Sequence, residues 1–125
     1  MYMKILAISL GGAAGALCRH WLAVTVQRMV GPSFPAGTFM VNMLGCLLFG
    51  IVWGYIETKS IAANELRLLA LTGFLGSFTT FSTYMFETAQ LVKIGQITAA
   101  LLNVAGQSLL GLAFVLAGIA LGKML

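Results

Sequence analysis

Charge is what this sequence has least of. Of its 125 residues, seven are Lys or Arg and three are Asp or Glu, so 8% are charged while 60% are hydrophobic. A soluble domain carries about a quarter charged residues. That shortage excludes an ordinary water-facing surface. The net charge of +4 is too small and too dispersed for a nucleic-acid interface. Both prolines fall in one short stretch, Gly31-Pro32-Ser33-Phe34-Pro35. The one histidine, His20, has no second histidine to share a metal with and reads as interfacial. Two cysteines, Cys18 and Cys46, sit inside apolar runs and read as small packing residues rather than a disulfide. No GxxxxGK[ST] loop occurs, which excludes nucleotide-driven transport by this chain.

Apolar length is what the sequence has instead. A helix needs about 20 apolar residues to cross a bilayer, and four windows qualify, roughly 4–27, 36–56, 66–92 and 97–122. The first is too long, and too polar toward its end, for a cleaved signal peptide. The connections are Gly31–Pro35, Glu57–Glu65 and Lys93–Gly95. These features predict an all-α integral membrane protein, with residues 1–125 forming a single four-helix domain. No stretch remains for a soluble domain.

The third window cannot be an unbroken helix. Gly73–Tyr84 reads GFLGSFTTFSTY, with no charge from Leu68 to Phe86. Gly73 and Gly76 permit left-handed or extended backbone. The hydroxyls of Ser77, Thr79 and Thr80 can satisfy the main-chain groups that a break releases. Non-helical backbone at bilayer depth survives only inside protein or against a water-filled cavity. The stretch therefore predicts a helix broken near its middle, at an ion site. Beyond the break, Phe78, Phe81 and Tyr84 form one stripe, and Thr80, Thr83 and Glu87 form another. Aromatic rings are electropositive at the edge, so an edge-on ring can touch a small anion. For Glu87 the plainer reading is a pair with an Arg or Lys near the interface.

The other windows carry isolated polar signals. Gly11, Gly15 and Arg19 share one face of the first helix. The glycines fit close helix packing in lipid, while Arg19 either snorkels to the interface or serves function as an intramembrane charge. Asn42 is the one strongly polar side chain of the second window. It reads equally as interhelical glue and as an N–H donor aimed into a pore. Asn103, Gln107 and Gly111 share a face of the fourth window, with Ser108 at its border. Pore lining and glue both remain open there.

Orientation is weakly specified. Lys4, Lys59, Arg67 and Lys123 flank one side, Arg28 and Lys93 the other. Such a difference is a poor guide to insertion, so the chain could insert both ways.

GGAAGALCRH (Gly11–His20), GTFMVNMLGCLLFG (Gly37–Gly50) and GFLGSFTTFSTYMFE (Gly73–Glu87) resemble the three signature blocks of the Fluc (CrcB) fluoride channels. The resemblance runs in order over nearly the whole chain, and the TTFST block is its most specific part. It implies an antiparallel, dual-topology homodimer in a bacterial inner membrane, passing fluoride passively out of the cytoplasm. It also implies a structural sodium ion at the dimer centre, ligated by the carbonyls of Gly76 and Thr79. Asn42, Phe81, Ser82, Thr83, Tyr84 and Ser108 correspond to the fluoride pathway, with Arg19 and Glu87 at vestibule or anchoring positions. Two departures stand out: Tyr84 replaces the family's second pore phenylalanine, and Gly111-Leu112 falls where its hydroxyl track often continues. Tyr84 is expected to bond Ser108 or Glu87, or to donate to the anion.

Two rival readings belong to other classes. Four-helix multidrug exporters of this size use a carboxylate buried in the first helix, and this first helix has none. A holin or assembly subunit would explain the small-residue stripes but not the polar break. Fluoride release from liposomes, without chloride or a cationic dye, separates all three.

Overall fold

The computed structural model describes residues 1–59 and 64–125. Among these the chain is helical, with no strand. The second expected connection therefore lies partly outside the described residues. Helix α1 (Tyr2–Val30) turns at Gly31, whose φ of 93° favours glycine, into α2 (Ala36–Thr58). Gln27 holds that corner. Its Nε2 donates to the carbonyls of Gly31 and Phe34, and its Oε1 accepts the Gly37 N–H.

The third segment is in pieces. α3 (Asn64–Arg67) runs into a π-helix (Leu68–Leu75) and one further α turn, α4 (Gly76–Phe78). The backbone is then extended at Thr79 (φ −83°, ψ 158°) and Thr80 (φ −149°, ψ 117°), before α5 (Phe81–Lys93) begins. Gly95, at φ 77°, turns the chain into α6 (Ile97–Met124). The break is where the sequence puts it, but its glycines do not make it. Gly76 is right-handed helical (φ −63°, ψ −32°), and the extended residues are two threonines, which as β-branched residues suit that backbone. A π-helix inside a helical run often marks a functional site.

Among the described residues, α1, α2 and α6 are each long and apolar enough to cross a membrane. Lipid tails are as apolar as leucine, so packing in the bilayer relies on small residues that let backbones meet. α2 and α6 lie parallel, with Gly50 and Gly54 against Gly118 and Gly122. A Cβ on Gly118 would strike the Leu47 carbonyl and crowd the Gly50 Cα. Gly11 and Gly15 likewise admit the backbone of Leu69–Phe74 against α1, which bears out close packing for that glycine face. Val41, Ile56, Leu71, Leu75 and Phe78 form the buried core. Leu17, Trp21, Leu101, Leu109, Leu112 and Leu116 point outward, as residues facing lipid do. Where α2 and α6 end together, Lys123 Nζ lies 2.9 Å from Glu57 Oε2.

Candidate functional site

The site forms where the third segment breaks. Extended backbone at Thr79 and Thr80 leaves main-chain groups without helical partners, and those that are buried call for other partners. Thr79 bonds back to the turn before it, its N–H and its Oγ1 both donating to the Leu75 carbonyl at 3.1 Å. Thr80 starts the next helix. Its Oγ1 accepts the Thr83 N–H at 3.3 Å, an N-cap, and donates to Thr83 Oγ1 at 3.0 Å. Ser82 Oγ lies 3.5 Å away. Of the three hydroxyls expected to repair the break, Thr80 takes up a released N–H, while Thr79 bonds a carbonyl that keeps its helical partner.

Asn42 supplies the rest from α2. Its Oδ1 accepts the Thr80 N–H at 2.9 Å and its Nδ2 donates to the Thr80 carbonyl at 3.0 Å. The second Nδ2 hydrogen goes to Gln107 Oε1 on α6, at 2.6 Å. Gln107 Nε2 donates to Asn103 Oδ1 at 3.0 Å, and Asn103 Nδ2 to Thr88 Oγ1 at 2.9 Å. Thr88 Oγ1 donates to the Tyr84 carbonyl at 2.8 Å. Asn103 and Gln107 are buried. Their face of α6 is thus interhelical glue, while Ser108 beside it is exposed.

These residues border one open groove, about 420 Å³ in volume, lined by Asn42, Thr79, Thr80, Phe81, Tyr84 and Ser108 among others. Phe81 is 72% exposed and Tyr84 only 6%. Their rings meet edge to face at 5.6 Å and 71°. The Tyr84 hydroxyl donates to the Val104 carbonyl at 3.5 Å, not to Ser108 or Glu87 as expected. Phe78, the third member of the aromatic stripe, is core and stacks on Phe74 at 5.8 Å.

Arg19 and Glu87 lie outside this groove and are linked through Thr38. Arg19 and His20 border a second, smaller cavity with Thr38, Thr80 and Thr83. Glu87 accepts a hydrogen bond from Thr38 Oγ1 at 2.8 Å through Oε1, and Oε2 is buried without a hydrogen-bond partner among the described residues. The cationic partner expected for Glu87 is replaced by a hydroxyl.

Of the six pathway residues expected from the sequence, Asn42, Phe81, Tyr84 and Ser108 line this groove, whereas Ser82 does not and Thr83 borders the cavity of Arg19 instead. The sequence did not reveal the Asn42–Thr80 clamp, the Thr38–Glu87 bond or the run through Gln107 and Asn103. The polar spacing of α6 was the available signal for the last.

The carbonyls of Gly76 and Thr79 suit a hard cation, which takes oxygen ligands. The Thr80 N–H that would close on Gly76 is held by Asn42, and the Thr83 N–H that would close on Thr79 is held by Thr80 Oγ1. Both carbonyls are left without a hydrogen bond among the described residues.

Comparison with known proteins matches residues 6–119 to a family described as CrcB-like protein, Camphor Resistance (CrcB). A protein of Maridesulfovibrio salexigens named "Fluoride-specific ion channel FluC" is 54% identical over 98% of this chain and 97% of its own length. Proteins of the same name from Nitratidesulfovibrio vulgaris and Solidesulfovibrio magneticus are 50% and 45% identical. The first covers 97% of this chain and 98% of itself, the second all of both.

Proposed function

The chain belongs to the CrcB-like family, whose members are ion channels rather than enzymes, and on that premise we propose that it is a fluoride-specific channel of the bacterial inner membrane. In this reading the broken third segment makes a fourth crossing, and fluoride leaves the cytoplasm passively down its electrochemical gradient. The observation that carries the reading is the groove at the break, where an exposed phenylalanine edge, a tyrosine ring and Ser108 adjoin the clamped Thr80.

Fluoride is small and tightly hydrated, so a purely apolar pore rejects it. Dehydration must be offset by donors and positive edges at several weak sites, so that the ion can also leave. Phe81 and Tyr84 offer ring edges. Ser82, Thr83 and Ser108 offer hydroxyls, and Asn42 an amide. Arg19 raises the local anion concentration from its cavity, and Glu87 stands at the far end of the track. A unit charge gains about 2.3 kcal/mol per 100 mV of membrane potential, which favours outward flow of an anion.

The groove is open on one protomer and Phe81 is largely exposed. A second copy, inserted the opposite way, closes it about a two-fold axis. The near-balanced flanking charges favour that dual topology. At the centre of such a homodimer, the Gly76 and Thr79 carbonyls of both copies hold a sodium ion, which cancels the partial charges that the break exposes.

Two experiments test the reading. Purified protein in liposomes releases fluoride but neither chloride nor a cationic dye; release of all three, or of none, refutes it. With Cys18 and Cys46 removed, a single cysteine at Ser33 is labelled from each side of the membrane in about half the molecules. Labelling from one side only excludes the antiparallel pair.

A further inference from the structure

The hydrogen bonds at the break form one chain with a fixed direction. It starts at Thr80, whose main-chain N–H and carbonyl dictate which way the Asn42 amide faces. With Asn42 so fixed, its remaining N–H requires an acceptor, which orients Gln107 with Oε1 toward Asn42. Gln107 Nε2 then requires Asn103 to present Oδ1, and Asn103 Nδ2 makes Thr88 Oγ1 an acceptor. The Thr88 hydrogen ends on the Tyr84 carbonyl. Both ends are main-chain groups of unchangeable polarity, so no amide in between can flip without leaving two donors or two acceptors face to face. In a buried site each such mismatch leaves a polar group unsatisfied.

The two ends also lie four residues apart in sequence, one at the N-cap and one in the first turn of α5, the turn that carries Phe81. The relay leaves the third segment at Thr80, crosses α2 and α6, and returns to the same turn at Tyr84. We propose that Gln107 is the positioning residue of the anion pathway: it takes the Asn42 N–H that Thr80 leaves free and, through Asn103 and Thr88, fixes the seat of the turn bearing Phe81 and Tyr84. It acts through Asn42 without itself touching the ion. The inference rests on the channel reading for its consequence, though the relay stands apart from it.

A substitution that changes the direction of the relay while preserving its shape tests this. In Gln107→Glu, a protonated carboxyl accepts from Asn42 and donates its O–H to Asn103 Oδ1, as the glutamine does. Once ionised it has no hydrogen to give, Asn103 must turn over, and Thr88 must abandon the Tyr84 carbonyl. Gln107→Leu removes both functions at every pH. The titratable side chains lining the same groove, Tyr84 and Cys46, are unchanged by either substitution, so the parent's own pH profile accounts for them.

Fluoride efflux is measured over roughly pH 5 to 9, the range across which a buried carboxyl titrates, and corrected for protein-free vesicles. The parent profile is flat, Gln107→Leu is slow throughout, and Gln107→Glu recovers by about tenfold or more as pH falls, the size expected for one mismatched buried bond. In parallel, Asn103 side-chain amide resonances are followed in the detergent-solubilised, ¹⁵N-asparagine-labelled protein. They move with pH in Gln107→Glu and stay fixed in the parent. A Gln107→Glu efflux profile as flat as the parent's, or Asn103 resonances indifferent to pH, overturns the assignment. A parent that releases no fluoride sinks the channel reading instead, and the resonances then decide the relay alone.

Discussion

Asn42 does for Thr80 what a continuing helix would have done. One side-chain amide accepts the Thr80 N–H at 2.9 Å and donates to its carbonyl at 3.0 Å, so both main-chain groups are satisfied in mid-segment. A side chain on a neighbouring helix thereby makes extended backbone tolerable inside the helical packing.

Asn42→Asp keeps the acceptor and loses both donors. The new oxygen faces the Thr80 carbonyl and Gln107 Oε1, with added charge repulsion. Fluoride efflux is expected to vanish, and thermal unfolding of the detergent-solubilised protein to show a loss of about 1–3 kcal/mol or more. Normal efflux from a folded variant would make Asn42 a packing residue.

Phe81→Ile separates conduction from folding. The ring is 72% exposed on the protomer, so little protomer stability depends on it, while in the proposed pathway its edge is the surface offered to the anion. Efflux should be abolished with the dimer peak on size-exclusion chromatography unchanged. A conducting variant would move the pathway elsewhere.

Gly118→Val tests the packing. The added Cβ would collide with main chain of Leu47 and Gly50, which no rotamer change relieves. Overpacking of this kind costs about 1–3 kcal/mol, and more where the obstacle is backbone. Lower thermal stability and poor recovery of assembled protein are the expected readouts, and a melting temperature equal to the parent's would contradict the close approach of α2 and α6.

If the proposed sodium is bound, replacing it by a large organic cation under stripping conditions should slow fluoride efflux without any sodium current having been present beforehand. The carbonyls of Gly76 and Thr79 have no intrachain hydrogen bond to fall back on among the described residues. Efflux indifferent to this exchange would remove sodium from the account.

Three of the spans, the corners at Gly31 and Gly95 and the position of the break were legible in the sequence because each is a local property. Apolar length marks the spans, Gly31 and Gly95 mark corners with positive φ, and a polar cluster in an apolar window marks the break. The form of the break was not legible. Gly73 and Gly76 suggest glycine conformations, yet both are helical, because the released groups of Thr80 are bonded by a residue 38 positions away. The same distance hid the roles of Gln107 and Asn103. Spacing on α6 shows that they share a face, but it does not show what that face meets. Glu87 calls for a cation by its charge and finds Thr38 because α2 brings a hydroxyl there first.

Passive, fluoride-selective conduction is tested most directly by the reversal potential of the purified protein in a planar bilayer, with fluoride and chloride gradients set in opposite directions. A tenfold fluoride gradient should set the reversal near the fluoride value, about 59 mV for a singly charged ion, and changing the chloride gradient should not move it. A reversal that follows chloride or the cation, or an absence of current from correctly assembled protein, would contradict the account.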